Sequence, residues 1–154
     1  MVVKVKLEDI IDGLQFQLEE ENTYINCSSG EVLSVPDRAL RMAEDEKPLD
    51  HLPVWQQKGI KQAYDVIEHE DNYIKLLPKS DINEYDMMEN FCYSLSNSEQ
   101  QETLFQAIKG KGAFRKFKDS VIQMEIEDAW YAYQKQCYKD IAMELCKKNN
   151  LQVK

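Results

Sequence analysis

The sequence predicts an α+β fold: mainly helical, with a small antiparallel sheet of about three strands near the N-terminal half. Three observations carry this. Apolar residues recur at three- and four-residue spacing through most of the chain. Two strand-like stretches flank the turn residues Ser28, Ser29 and Gly30. A further short apolar run, Tyr73–Leu77, is closed by Pro78.

In chain order, Leu7, Ile10, Ile11 and Leu14 lie on one helical face, and Gly13 sits near the expected end of that helix. After the acidic run Glu19–Glu21, Thr23–Cys27 and Glu31–Val35 read as the arms of a β-hairpin. Pro36 and Asp37 end its second arm, and Arg38–Glu46 reads as a helix that Pro48 interrupts. Pro48–Pro53 is a turn. A longer helix starts at Pro53, with Trp55, Ile60, Ala63, Tyr64 and Ile67 directed to the core. Tyr73–Leu77 is the expected third strand, paired with the hairpin.

From Ser80 the pattern is helical. Asp81 with Glu84, and Ser98 with Gln101, match capping-box spacing and mark two helix starts separated near Ser96 and Asn97. Gly110 and Gly112 end the second of these helices and open another, whose expected buried stripe is Phe114, Phe117, Val121 and Met124. The last helix is the longest, with Ile126, Trp130, Tyr133, Cys137, Ile141 and Leu145 recurring every three or four residues until Asn149 and Asn150. No internal repeat or long linker divides the chain, so residues 1–154 are expected to form a single compact domain.

A chain of 154 residues buries roughly two thirds of its unfolded surface and needs no covalent staple. Its 43% hydrophobic and 31% charged residues are the composition of a globular protein. The net charge of −9 repels polyanions at long range, which disfavours a nucleic-acid partner. Cys27, Cys92, Cys137 and Cys146 form no CxxC pair, so neither a zinc site nor a disulfide framework is expected. Met1–Lys6 lacks the apolar run of a signal peptide, and no apolar stretch of about 18 residues occurs. The expected compartment is the cytoplasm, with no membrane partner.

One segment stands apart. Residues 109–118 hold five of the nineteen basic residues of this acidic chain. Lys111, Arg115 and Lys118 fall at helical spacing on one side, which the stripe places opposite Phe114 and Phe117. A glycine-flanked helix start with exposed amides and nearby cations suits a phosphate or a carboxylate. The candidate binding residues are therefore Lys109, Lys111, Gly112, Arg115 and Lys118. The competing reading is an ordinary solvated surface, with Arg115 paired to Asp119 four residues on. The glycine spacing of a P-loop is absent, as is the Ser or Thr that follows its Lys. Interleaved aromatics also suggest a stacking platform, but the stripe assigns Phe114 and Phe117 to the core.

Other chemistry is thin. His51 lies in a turn, and His69 sits among Glu68, Glu70 and Asp71 with no HExxH spacing, so no metal and no cofactor are expected. No GxSxG elbow is present, and no residue is assigned a catalytic role.

The chain resembles a bacterial group, Uncharacterised Protein Family 0158. The resemblance rests on the hairpin Tyr24–Val32, on Leu77 with Pro78, on Glu84 and Tyr85 with Met88 and Phe91, and above all on Gly110–Asp119 followed by Trp130. It implies a shared α+β fold and supplies no activity, ligand or catalytic residue. The functional expectation is a non-enzymatic interaction module that binds an acidic protein segment or a phosphate-bearing partner through the basic helix start. Two alternatives stand beside it. One is a small hydrolase or transferase acting on a phosphorylated substrate, with a concave pocket beside Arg115. The other is a homo-oligomer subunit whose last helix buries Tyr131 and Tyr138 against another copy.

Overall fold

A computed structural model describes residues 3–46 and 48–154. Met1 and Val2, part of the segment read above for a signal peptide, lie outside the described residues. In chain order the elements are β1 (Lys4–Val5), α1 (Leu7–Gln15), β2 (Glu21–Asn26), β3 (Val32–Pro36), α2 (Asp37–Glu44), α3 (Val54–Glu68) and β4 (Tyr73–Lys75). There follow α4 (Glu84–Ser94), α5 (Ser98–Ala107), α6 (Ala113–Gln123), α7 (Glu127–Lys148) and β5 (Gln152–Val153). The fold is α+β, as expected. None of the described helices is long and apolar enough to cross a membrane. The chain divides into two compact units, Met1–Asp81 with Ile141–Lys154, and Ile82–Asp140.

The first unit is organised by the antiparallel sheet β3-β2-β4. Its register pairs Tyr24 with Leu33 and Lys75, and Asn26 with Tyr73. Alternation along β2 then gives two distinct faces. On one, Tyr24, Leu33, Val35 and Tyr73 pack with Ala39 and Ala43 of α2 and Ile60, Ala63 and Val66 of α3. On the other, Thr23 and Ile25 are buried on the side of α1, which buries Ile10, Ile11 and Leu14. Gly13 lies two residues before the end of α1, near the end as expected. A Cβ there would meet side chains of Leu76, Val32 and Thr23 at 3.0–3.2 Å, so glycine lets the helix lie close to the sheet.

Two features of this unit differ from expectation. A parallel pair, Lys4 with Gln152 and Val5 with Val153, joins the two ends of the chain. Strands of two residues carry no periodicity for a sequence to reveal. Trp55 and Ile67, both expected in the core, are 75% and 37% exposed. The packed stripe of α3 is Ile60, Ala63 and Val66, and Trp55 in the first turn instead lines an open apolar groove with Pro36, Met42 and Gly59.

In the second unit, α4, α5, α6 and the first part of α7 enclose an aromatic core. Phe91, Phe117 and Trp130 meet edge to face at centroid distances of 4.7–6.1 Å, and Tyr133 lies 5.4 Å from Phe91. Such edge-to-face pairs contribute beyond their buried area. The helix starts are shifted from those anticipated. Asn83 caps α4 by accepting from the Asp86 amide, and Asn97 caps α5 by accepting from the Glu99 and Gln100 amides, all at 3.0 Å. An asparagine carbonyl serves this purpose as well as the Asp or Ser that the capping-box pattern selects. On α7 the buried residues are Trp130, Tyr138, Ala142 and Cys146. Tyr138, expected at an interface between copies, is fully buried within the chain.

Candidate functional site

Two glycines shape the start of α6. Gly110 and Gly112 take left-handed backbone angles, φ +78° and +73°, which cost a residue with a Cβ about 1–2 kcal/mol. The Gly112 carbonyl accepts the Lys116 amide at 2.9 Å and closes the first turn. No side chain caps this end, and no acid stands in the first turn. The positive end of the helix dipole is therefore not offset locally.

The sequence-predicted residues Lys109, Lys111, Gly112, Arg115 and Lys118 are all exposed, as is Lys116. The anticipated pair between Arg115 and Asp119 does not form: among the described residues no ion pair or hydrogen bond joins their side chains. Among the described residues no ion pair holds these cations.

Phe114 is 56% exposed and Ile122 45%. The assignment of Phe114 to the core is thus corrected. The inward stripe runs Ala113, Phe117, Val121 at four-residue spacing. At about 100° per residue, Phe114 falls at its edge, and Phe114, Lys118, Ile122 and Arg115 follow one another along one outward flank. Lys116 lies on the other flank. Lys118 and Arg115 therefore share a side with Phe114 instead of opposing it, and the flank alternates apolar and cationic groups.

Four surface clefts, of about 270 to 880 Å³, are lined by residues of 9–65, 73 and 143–153, and none by residues 109–118. The basic flank is not a lining of these clefts.

One of them, of about 430 Å³, lies between α3 and the sheet and contains an array that sequence reasoning missed. The Tyr73 hydroxyl donates to the Asp65 carboxylate and accepts the Asn26 side-chain amide at 3.4 Å. The Asn26 carbonyl accepts the Asn72 side-chain amide at 3.1 Å and the Ser28 amide at 2.8 Å. Burial, the hydrogen bond to Asp65 and the charges of Asp65 and Glu31 push the Tyr73 hydroxyl up to about 12, so it is a firm donor at neutral pH. Asp65 and Tyr73 are 8 residues apart and Asn26 and Tyr73 47 apart, with no motif linking them.

Nucleophile and metal candidates are unremarkable. Burial pushes the Cys92 thiol up to about 11 and raises Cys27, Cys137 and Cys146 as well, which leaves little thiolate at neutral pH. His51 is exposed, and His69 lies 3.8 Å from Asp65 with both side chains largely in solvent. Among the described residues no group of three or more His, Cys, Asp or Glu is placed to hold a metal ion.

No curated protein and no solved structure matches the chain at a significant level. A family model does, over residues 1–154, and it covers the hairpin, the glycine-flanked start of α6 and Trp130 alike. The chain belongs to the Uncharacterised protein family (UPF0158).

Proposed function

We propose that this protein is a non-enzymatic interaction module that takes an acidic protein segment, or another phosphate- or carboxylate-bearing partner, on the outward flank of α6. The observation that supports this reading is the exposure of Phe114 beside Lys118 and Arg115, at a helix start with no capping acid. Aromatic residues, Phe among them, and Arg are enriched at protein interfaces. The cations steer an acidic chain toward the flank and fix its register. A cytoplasmic setting fits a protein with four unbridged cysteines.

The test is a lysate pull-down comparing wild type with Lys111→Glu/Arg115→Glu/Lys118→Glu, after both are shown to fold. Proteins, nucleic acids and small molecules are all identified in the eluates. The expected result is an acidic partner retained by wild type alone and released as salt rises, because exposed ionic contacts are screened over about 8–10 Å at physiological ionic strength. Equal recoveries, or retention indifferent to salt, would sink the proposal.

A further inference from the structure

In the first unit, we infer that the cleft between α3 and the β3-β2-β4 sheet binds a small zwitterion of the amino-acid class. Its carboxylate would face Lys58 and Lys61, its ammonium Asp65 and Glu31, and its apolar side chain Val54 and Leu33. This reading does not depend on the α6 flank.

The volume, about 430 Å³, lies within the usual range for small-molecule sites. The order of groups along its α3 wall gives the ligand its polarity. Val54, Lys58, Lys61 and Asp65 succeed one another at spacings of four, three and four residues, so they share one helix face. At 1.5 Å per residue they span roughly 16 Å, passing from apolar through cationic to anionic. The sheet wall presents Leu33, Glu31, Asn26 and Tyr73 and no cation, and the Tyr73 hydrogen bond ties its polar part to the Asp65 end of α3. Glu31 is near enough to act on the Tyr73 hydroxyl.

Charge then decides between ligand classes. Lys58, Lys61 and Glu31 are exposed, and among the described residues their side chains make no ion pair with one another or with Asp65. Both signs of charge thus border one void without closing an ion pair across it. A plain anion entering it would meet Asp65 and Glu31, and a plain cation would meet the two lysines. A molecule carrying both charges satisfies each end. Asp65 is also the best positioned group of the cleft, because Tyr73 holds its carboxylate and Asn26 holds Tyr73 in turn. A carboxylate accepting one hydroxyl keeps lone pairs for an ammonium. Val54 is 82% exposed at the apolar end and gains cover if a hydrocarbon side chain lies against it.

The experiment is a nitrogen-15 NMR titration of the full chain with L-leucine, L-valine and L-methionine at millimolar concentration. Leucinamide, which lacks the carboxylate, and 4-methylpentanoate, which lacks the ammonium, serve as controls. The expected result is a saturable shift of amides in Val54–Asp65 with at least one amino acid. Each single-charge control, and each of the variants Lys61→Met and Asp65→Asn, then weakens binding by about tenfold or more, the equivalent of one ionic contact. Retained spectral dispersion shows that the variants fold. No saturable shift with any of the three amino acids overturns the inference, and so does equal binding of either control.

Discussion

The hydroxyl of Tyr138, within α7, donates a hydrogen bond to the carboxylate of Glu84 in the first turn of α4, 54 residues away in sequence. Tyr138 is fully buried, and both burial and this bond raise its pKa. Removing the hydroxyl takes a partner from a half-buried carboxylate. Tyr138→Phe should therefore cost about 1–3 kcal/mol in urea unfolding at neutral pH. Glu84→Gln, which keeps an acceptor, should cost less. A loss below about 0.5 kcal/mol for Tyr138→Phe would show that the bond contributes little.

Phe114 and Phe117 are three residues apart and should respond oppositely to truncation. Phe117 is buried against Trp130, so Phe117→Ala should cost about 3–5 kcal/mol. Phe114→Ser should stay within about 1 kcal/mol of wild type, because Phe114 is already 56% exposed. Thermal melts of the two variants check this, and a large loss for Phe114→Ser would contradict its exposure.

Gly30 and Gly112 both have positive φ, +77° and +73°, but differ in their surroundings. A Cβ at Gly112 meets only the flexible end of Lys116, at 3.9 Å. Gly112→Ala should therefore cost about 1–2 kcal/mol, from backbone strain alone. At Gly30 a Cβ would lie 2.6 Å from the Lys4 carbonyl oxygen, so Gly30→Ala must also displace backbone and should cost clearly more. Equal losses in chemical denaturation would refute the distinction.

Alkaline pH should reveal the Tyr73–Asp65 bond. The Tyr73 hydroxyl titrates at 10.0 in the unfolded chain and at about 12 in the fold. Its contribution is thus fully present below pH 10.0 and is lost as pH rises toward about 12. The stability difference between wild type and Tyr73→Phe should shrink across that window. A difference that stays flat through it would argue against the raised value.

Raised thiol pKa values predict slow alkylation. Cys92 and Cys146 are buried and Cys27 and Cys137 half-buried, and burial raises all four. Iodoacetamide at neutral pH should label the native chain far more slowly than the urea-unfolded chain. One cysteine reacting as fast folded as unfolded would reopen the case for a thiol nucleophile.

Much of the fold was legible because the signals are local. The hairpin arms flank Ser28–Gly30 as expected, Pro53 opens α3, and Gly112 opens α6. The helix caps were misplaced by one or two residues, since Asn83 and Asn97 stand beside residues that also suit the position. The candidate basic segment was legible as a run of charge, but its arrangement with Phe114 was not.

By itself the sequence determined the order of the helices and of strands β2, β3 and β4, the antiparallel hairpin and the concentration of positive charge at the start of α6. Each of these follows from spacing, turn chemistry or composition within a few residues. Only the tertiary structure decided which edge of an amphipathic helix is covered, and so left Phe114 and Trp55 in water while burying Tyr138. It alone joined β1 to β5, and Asn26 to Tyr73 and Asp65. The reason is physical: periodicity marks a stripe, but the neighbours packed against it set its width and centre, and groups distant in sequence meet only when the chain has folded.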